Sequence, residues 1–547
     1  LDQQNITDVN GSRFLFEPLK TATGGWAKFD LINEYQGPSD IPYTGRGVAY
    51  HLGNNTGLVH SFIDSNNVIN GQRYFYAIAA YDHGTRVMNI GPSESSKTIT
   101  LNPETNEIFL DVNTASVIPR APALGYTTGS WEMIDSVAFI DHVSGSGTGT
   151  FDLELLDPRA LQDTNTFQIT FKTNPTRYSI EDLTPSIEKR VIKKDVYLTL
   201  LKNRINSDRF ELTLDGVLME NGKDYLLFAD AGQVVVTSNL ASSINDGDEV
   251  EISYTHFPLW ESKRLNFEES NPVIDGIKLY AQDNVLELNR QKTKWQTGSQ
   301  GNYKASVLPY NGSISNMRDS DYEIRWFNDI ADTSTLGNAT APFQIWDVTP
   351  GRVPFKKDIA VLDYKVRNNT WDLGEDIVIV EPGEGLNVSW QITFESAVDV
   401  ETIDPVEGDI FYVATNRPFD ENDVFHYKTI ASKIDQGKAK NSLDDIRVVP
   451  NPYVVTNVLE PLDRQNPRDR GPRKLYFDKL PSSCTISIYT VTGELVREIK
   501  HESPLDNGQE FWDLTTKDNF PVAYGIYVYH IDAGELGEKI GRLAIIK

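Results

Sequence analysis

Along this chain, short runs rich in Val, Ile, Tyr, Phe and Thr are broken every ~8–12 residues by Asn-Gly, Asp-Gly or Gly/Pro turns. Within the runs, apolar and polar positions alternate, most clearly at 151–155, 167–171, 250–254, 321–327, 343–348 and 408–413. Late in the chain, Ile486 and Ile488 alternate with Thr485, Ser487 and Tyr489, and Ile526 and Val528 alternate with Tyr527 and Tyr529. Successive side chains of a strand point to opposite faces, so this period-2 pattern predicts half-buried strands. The 3.6-residue period of an amphipathic helix is nearly absent. Many short strands at regular spacing predict an all-β fold made of serial β-sandwiches.

The chain has 547 residues, room for about three to five domains. Residues 1–101 are read as a first β-domain. There Tyr74, Tyr76, Ile78 and Ala80 alternate on one face. This segment resembles the F strand of a fibronectin type III domain, and the resemblance implies that Tyr74 is a corner tyrosine with its ring in the core. Residues 102–130, with Pro103, Pro119, Pro122 and Gly125, read as an extended connector. Residues 131–302 read as a sandwich interrupted by a small module at about 192–262, whose turns are Asp215-Gly216, Asn221-Gly222 and Asp246-Gly247. The module resembles surface β-modules of fibrous and extracellular proteins. Residues 303–445 read as a further sandwich.

Residues 446–547 carry the most specific pattern. Val449-Pro450-Asn451-Pro452-Tyr453 opens the segment, and Thr492-Gly493 marks a turn. Trp512 follows a polar turn and is expected in the core. Gly525, Tyr527, Gly541 and the terminal Lys547 complete the pattern. The segment resembles the C-terminal sorting domain of type IX secretion substrates. That resemblance implies an Ig-like sandwich, recognition by an outer-membrane translocon and, in many members, removal after export. The order of segments also resembles large surface proteins of Bacteroidota-like and Ignavibacteria-like bacteria. The location implied is extracellular, or the outer surface of a Gram-negative cell.

Composition narrows the remaining choices. Net charge is −27, which opposes nucleic-acid binding, where a basic surface is required. Residues 446–547 hold 13 Lys+Arg against 14 Asp+Glu, so nearly all of the excess acidity lies upstream. The single cysteine, Cys484, excludes an intrachain disulfide and a Cys-based zinc cluster. No run reaches the ~18 apolar residues of a membrane helix. The chain opens at Leu1 with no basic-then-apolar leader, so either a signal peptide has been removed or the sequence is part of something longer.

Catalytic spacing is missing. There is no His-Glu-x-x-His, no Walker A and no Gly-x-Ser-x-Gly. Gly145, Gly147 and Gly149 punctuate a loop without the following Lys of a phosphate site. His51, His60 and His83 lie in one segment and could supply nitrogen ligands, though loop and strand-face positions are the simpler reading. Two acidic turns, Asp246/Asp248/Glu249 and Asp420/Glu421/Asp423, are candidates for weak calcium binding through oxygen ligands. The plainer alternative is that their carboxylates cap backbone N–H groups. No other cofactor is expected.

Trp131, Trp260, Trp295, Trp326, Trp346 and Trp371 could stack on sugars if exposed. Trp326 and Trp346, at strand positions, are expected in cores, while Trp295 sits in polar sequence and is the better candidate for exposure. The functional expectation is a secreted structural or adhesive scaffold without catalysis, with protein or glycan ligands and self-assembly among its possible partners. Two alternatives stand beside it: accessory domains of a larger secreted hydrolase, and a subunit of an extracellular filament joined through strand edges.

Overall fold

The alternating runs become antiparallel ladders. The computed structural model is nearly all-β, 44% strand against 3% helix. The structure describes residues 5–7, 13–15, 19–20, 27–42, 49–58, 62–64, 68, 70, 73–101, 108–134, 138–240, 242–266, 271–383, 385–454 and 473–546. The chain divides into two units, one of residues 130–430 and one of residues 1–129 with 431–547. No helix among the described residues is long and apolar enough to cross a membrane.

The 130–430 unit is built on an eight-stranded sheet. Its order is Ser130–Trp131, Val424–Ile430, Thr166–Lys172, Arg177–Val191, Glu249–Ser262, Glu211–Leu214 and Val217–Leu218, and Asp141–Ser144 also pairs with Val424–Ile430. Phe167, Ile169 and Phe171 are the buried alternate residues of Thr166–Lys172. They share one core with Leu153 and Leu279, which come from the separate ladder Thr150–Leu155/Ile277–Gln282. Each such side chain, fully buried, is worth about 1.5–3 kcal/mol in transfer from water.

Two strands are far longer than the rest, Arg177–Val191 and Glu249–Ser262. Their pairing shifts register between Tyr178 and Ile180, between Ile180 and Asp182, and between Asp182 and Ser186. Beyond the last shift the same two strands enter a second core. There Ile192, Leu212, Val234, Val250, Ile252 and Tyr254 are buried together.

Between Ile277–Gln282 and Val424–Ile430 the chain builds a third core. A five-stranded sheet runs Lys294–Trp295, Ile410–Val413, Tyr322–Trp326, Phe343–Asp347, Phe355–Lys356. A four-stranded sheet runs Lys304–Pro309, Asn387–Glu395, Asp376–Glu381, Asp358–Leu362. Ile324, Trp326, Ile345, Trp390 and Phe394 belong to the core that these sheets share. An ion pair is buried here, Lys357 to Glu381 at 2.5 Å, each side chain 2% exposed. Glu381 also accepts the hydroxyls of Tyr322 (2.8 Å) and Ser389 (2.6 Å), which offsets the loss of water around its charge.

In the other unit, residues 446–546 hold a two-sheet arrangement. One sheet has the order Arg447–Val449, Leu475–Asp478, Glu510–Trp512; the other runs Tyr453–Val454, Glu538–Ile546, Gly525–Asp532, Ser483–Thr490, Leu495–Glu502. Trp512 lies in the core with Ile486, Ile488, Tyr529 and Leu543. So does Leu124, from the stretch expected to be an extended connector. Ala123 and Leu124 donate to the carbonyls of Leu505 and Leu480, both at 2.9 Å, and Gly508 donates to Ala121 at 2.7 Å. A Cβ at Gly508 would lie 2.4 Å from the Pro122 carbonyl oxygen, so glycine is what lets the two backbones approach.

Nearer the N-terminus the described strands pair only two by two, as in Tyr74–Ala77 with Thr114–Val117 and Ile99–Leu101 with Ile108–Leu110. The inward face expected from Tyr74, Tyr76, Ile78 and Ala80 is not formed. The strand stops at Ala77, and Ile78 is 83% exposed. Alternation in sequence marks a strand only as far as a partner continues to pair with it.

Candidate functional site

The motif residues of the C-terminal segment build the seat of its last strand. Pro450, Asn451 and Pro452 link Arg447–Val449 of one sheet to Tyr453–Val454 of the other. The two prolines bring no N–H, so neither leaves a donor to be satisfied. Asn451 supplies the pairing instead. Its side-chain N–H donates to the Arg542 carbonyl at 2.9 Å, and its oxygen accepts from the Ala544 N–H at 3.1 Å. One amide thus continues the parallel ladder in which Tyr453 faces Ile545 and Val454 faces Ile546.

Tyr527 is buried, packs edge-on against Trp512 with ring centroids 5.9 Å apart, and donates its hydroxyl to the Ala523 carbonyl at 2.7 Å. A tyrosine bonded to backbone a few residues upstream is the corner geometry that the sequence had placed at Tyr74. Gly541 faces Tyr529 across the ladder, and a Cβ there would lie 2.2 Å from that ring. Gly493 (φ +89°) turns the hairpin between Ser483–Thr490 and Leu495–Glu502, and Gly525 opens the strand Gly525–Asp532. Lys547 lies outside the described residues, as does His60. His51 accepts from the Gly53 N–H at 3.2 Å, and His83 stacks on Tyr35 at 3.9 Å.

Within the same sandwich sits a triplet that no motif in the chain announces. His501 Nδ1 is 3.0 Å from Glu510, and its Nε2 is 2.9 Å from the Ser503 hydroxyl. The hydrogen bond to His501 is the largest influence on the Glu510 carboxyl and holds it below its ordinary value. The arrangement has the order of a nucleophile relay, and the Ser503 hydroxyl also lies within hydrogen-bond reach of the Asn507 and Pro504 carbonyls, which compete with His501 for its hydrogen.

The two acidic turns do not gather into cation cages. Asp246 accepts from the Lys194 N–H, and Asp248 from the Asn245 N–H at 2.7 Å. Glu249 is exposed at the start of its strand. Asp420 accepts from the Asn422 N–H at 2.7 Å, and Glu421 from the Thr173 hydroxyl at 3.1 Å. Five of these six carboxylates, counting Asp423 below and Glu421 through the Thr173 N–H, thus accept from backbone donors, which is capping rather than an open oxygen shell. Among the described residues, no three His, Cys, Asp or Glu side chains converge in a way that could hold a metal.

Asp423 has a different use. It is fully buried and accepts from the N–H groups of Gly147 and Asp420, both at 2.8 Å, with His142 Nε2 at 3.1 Å. A Cβ at Gly145 or Gly147 would lie 2.0 or 2.4 Å from its carboxylate oxygens, and one at Gly149 would lie 2.1 Å from the Phe419 ring. The glycine run is therefore wrapped around the protein's own carboxylate. Close by, Arg417 is paired with buried Asp321 and donates to the Ser146 carbonyl at 2.6 Å. Asp321 also accepts from the Thr415 N–H and the Tyr412 hydroxyl, both at 2.7 Å. Burial and then the Asp321 contact push the Tyr412 phenol well above its usual range, so it stays a donor.

Trp295 is not exposed as expected. It pairs through Lys294–Trp295 with Ile410–Val413, donates its indole N–H to the Tyr303 carbonyl at 3.0 Å and packs near Phe411 and Trp326. Trp346, expected in a core, lies on the outer face of its strand with Arg325 4.7 Å above its ring. Trp326 is buried as expected.

No protein-family model and no curated protein matches the chain. Two solved structures show distant similarity, both at 11% identity. One is PorZ, an essential bacterial surface component of the type IX secretion system of Porphyromonas gingivalis; the match covers 84% of this chain and 67% of that one, with a TM-score of 0.18. The other is dimeric latent PorU from the same bacterium, with 81% of this chain and 36% of that one covered and a TM-score of 0.13. At these TM-scores the likeness carries no argument about a shared role.

Proposed function

We propose that this chain is an exported scaffold or adhesive protein of the cell surface or extracellular space, carried by a type IX-like route. In this reading residues 446–547 are the sorting domain that an outer-membrane translocon recognises. The β-sandwiches before it space and present binding surfaces, and catalysis is no part of their role. The observation that supports it most is the use made of the motif residues. Asn451, Tyr527 and Gly541 all act on the placing of the last two strands, so the motif specifies one defined terminal surface that a receptor could read.

The test is export of the tagged chain by a type IX-competent bacterium and by the same strain lacking the translocon. Intact chain should reach the medium or outer surface only when the translocon is present, and chain lacking 446–547 should stay inside the outer membrane. Equal export with and without the segment, or export independent of the translocon, would overturn the reading.

A further inference from the structure

The inserted-module stretch carries a cleft that none of the roles above uses. It has a volume of about 400 Å³ and is lined by Arg204, Asn206, Asp208, Asp230, Phe257 and Trp260, among others. Clefts of about 300–1,000 Å³ are the usual size for small ligands.

Its floor is fixed by backbone. Arg204 and Ile205 donate to the carbonyls of Asp230 and Ala229, at 3.3 and 2.9 Å, and Phe257 donates to the Arg204 carbonyl at 2.9 Å. The wall is a kinked strand. In the pairing of Arg177–Val191 with Glu249–Ser262, Asp182 faces His256, Ile180 faces Leu259 and Tyr178 faces Ser262. Each step of two residues on one strand thus meets three on the other. These are successive bulges, a device that re-aims side chains and clusters beside functional sites. Glu261 takes φ +45°, and its carboxylate is held by Lys172 (2.6 Å) and Arg177 (2.9 Å).

The result is an aromatic platform set outward. Trp260 is 45% exposed although it stands in a strand, and Phe257 supports it edge-on with centroids 4.5 Å apart. Around the platform, the side chains of Arg204, Asp208 and Asp230 are exposed and make no ion pair or side-chain hydrogen bond among the described residues. Asn206, by contrast, is anchored from below, donating to buried Glu181 at 2.8 Å. Lys172 lies 5.3 Å from the Trp260 ring centre. Lining the cleft are one guanidinium, Arg204, and two carboxylates, Asp208 and Asp230, while Lys172 beside the ring is paired with Glu261, so the side chains repel an anion and suit a ligand with no net charge. What they offer it is a set of planar donors and acceptors beside an apolar ring face.

From this arrangement we infer that the cleft is a binding site for a neutral oligosaccharide. The C–H face of one sugar ring stacks on Trp260, and vicinal hydroxyls bond to Arg204, Asp208 and Asp230. An anionic glycan is disfavoured by the two carboxylates and by the acidity of the whole chain. The inference rests on the adhesive part of the proposed function, to which it gives a ligand class and a site.

The test is calorimetric and fluorescence titration of the purified full chain with neutral gluco-, manno-, xylo-, galacto- and N-acetylglucosamine oligosaccharides. Saturable binding to at least one of them is expected. Trp260→Ala should weaken it about tenfold or more, the loss of roughly one stacking contact. Arg204→Ala should weaken it as well, while Phe520→Ala, in the other unit, should leave it unchanged. Circular dichroism confirms that each variant is folded. Binding to none of the sugars, or binding indifferent to both Trp260→Ala and Arg204→Ala, overturns the inference. Lost sugar binding with normal export would count against the cleft alone, and lost export with intact sugar binding against the sorting reading alone.

Discussion

At Gly541 the ring of Tyr529 fills the space that any side chain would need. Gly541→Val must therefore push aside a buried ring that packs edge-on against Phe477, at a cost of about 1–3 kcal/mol for forced overpacking. We expect hydrogen-exchange protection of the amides in Glu538–Ile546 to fall by about tenfold or more, with Thr166–Lys172 in the other unit unaffected. Unchanged protection in Glu538–Ile546 would mean that the ring is free to move away. Single residues of this kind were only half legible in the sequence. The glycines at 145, 147 and 149 announced a loop, but the carboxylate they enclose lies 276 residues further along the chain. Polar neighbours made Trp295 look exposed, yet its burial is decided by a strand partner that no local window contains. Trp260 was one of several tryptophans of equal standing, and only the bulged register singles it out.

Strands and their alternation were the legible scale. The runs around 151–155, 167–171, 322–326 and 343–347 are all strands, with the inward residues expected except that Trp346 turns outward. Their partners were not legible, because pairing is set by packing between distant segments rather than by period. Val424–Ile430 pairs with Thr166–Lys172, across the whole stretch that builds the second and third cores. The segment just before it carries Arg417, whose pair with Asp321 is 5% exposed on each side. Removing one partner strands a buried charge, which costs about 3–5 kcal/mol, whereas replacing both with apolar side chains is often near neutral. Arg417→Met should thus lower the unfolding temperature of the 130–430 unit, and the double variant Arg417→Met/Asp321→Leu should recover much of the loss. If scanning calorimetry finds the double variant no more stable than the single one, the pair is not the source of the effect.

For the whole molecule, the central matter is where the chain works and in what form. The family resemblance allowed either a retained or a removed C-terminal segment. The structure adds a physical reason for retention. Leu124 lies in the core of the C-terminal sandwich, and Ala121, Ala123 and Leu124 are bonded to its backbone. Release of residues 446–547 would expose that core and break three backbone hydrogen bonds, so the proposed reading takes the segment to be retained after export. The most direct measurement combines protease shaving of intact native cells with intact-mass spectrometry of the chain at the surface and in the medium. The account predicts chain that is accessible from outside and whose mass still includes residues 446–547. Chain protected inside intact cells would contradict the export claim, and external chain ending near residue 445 would contradict the shared core.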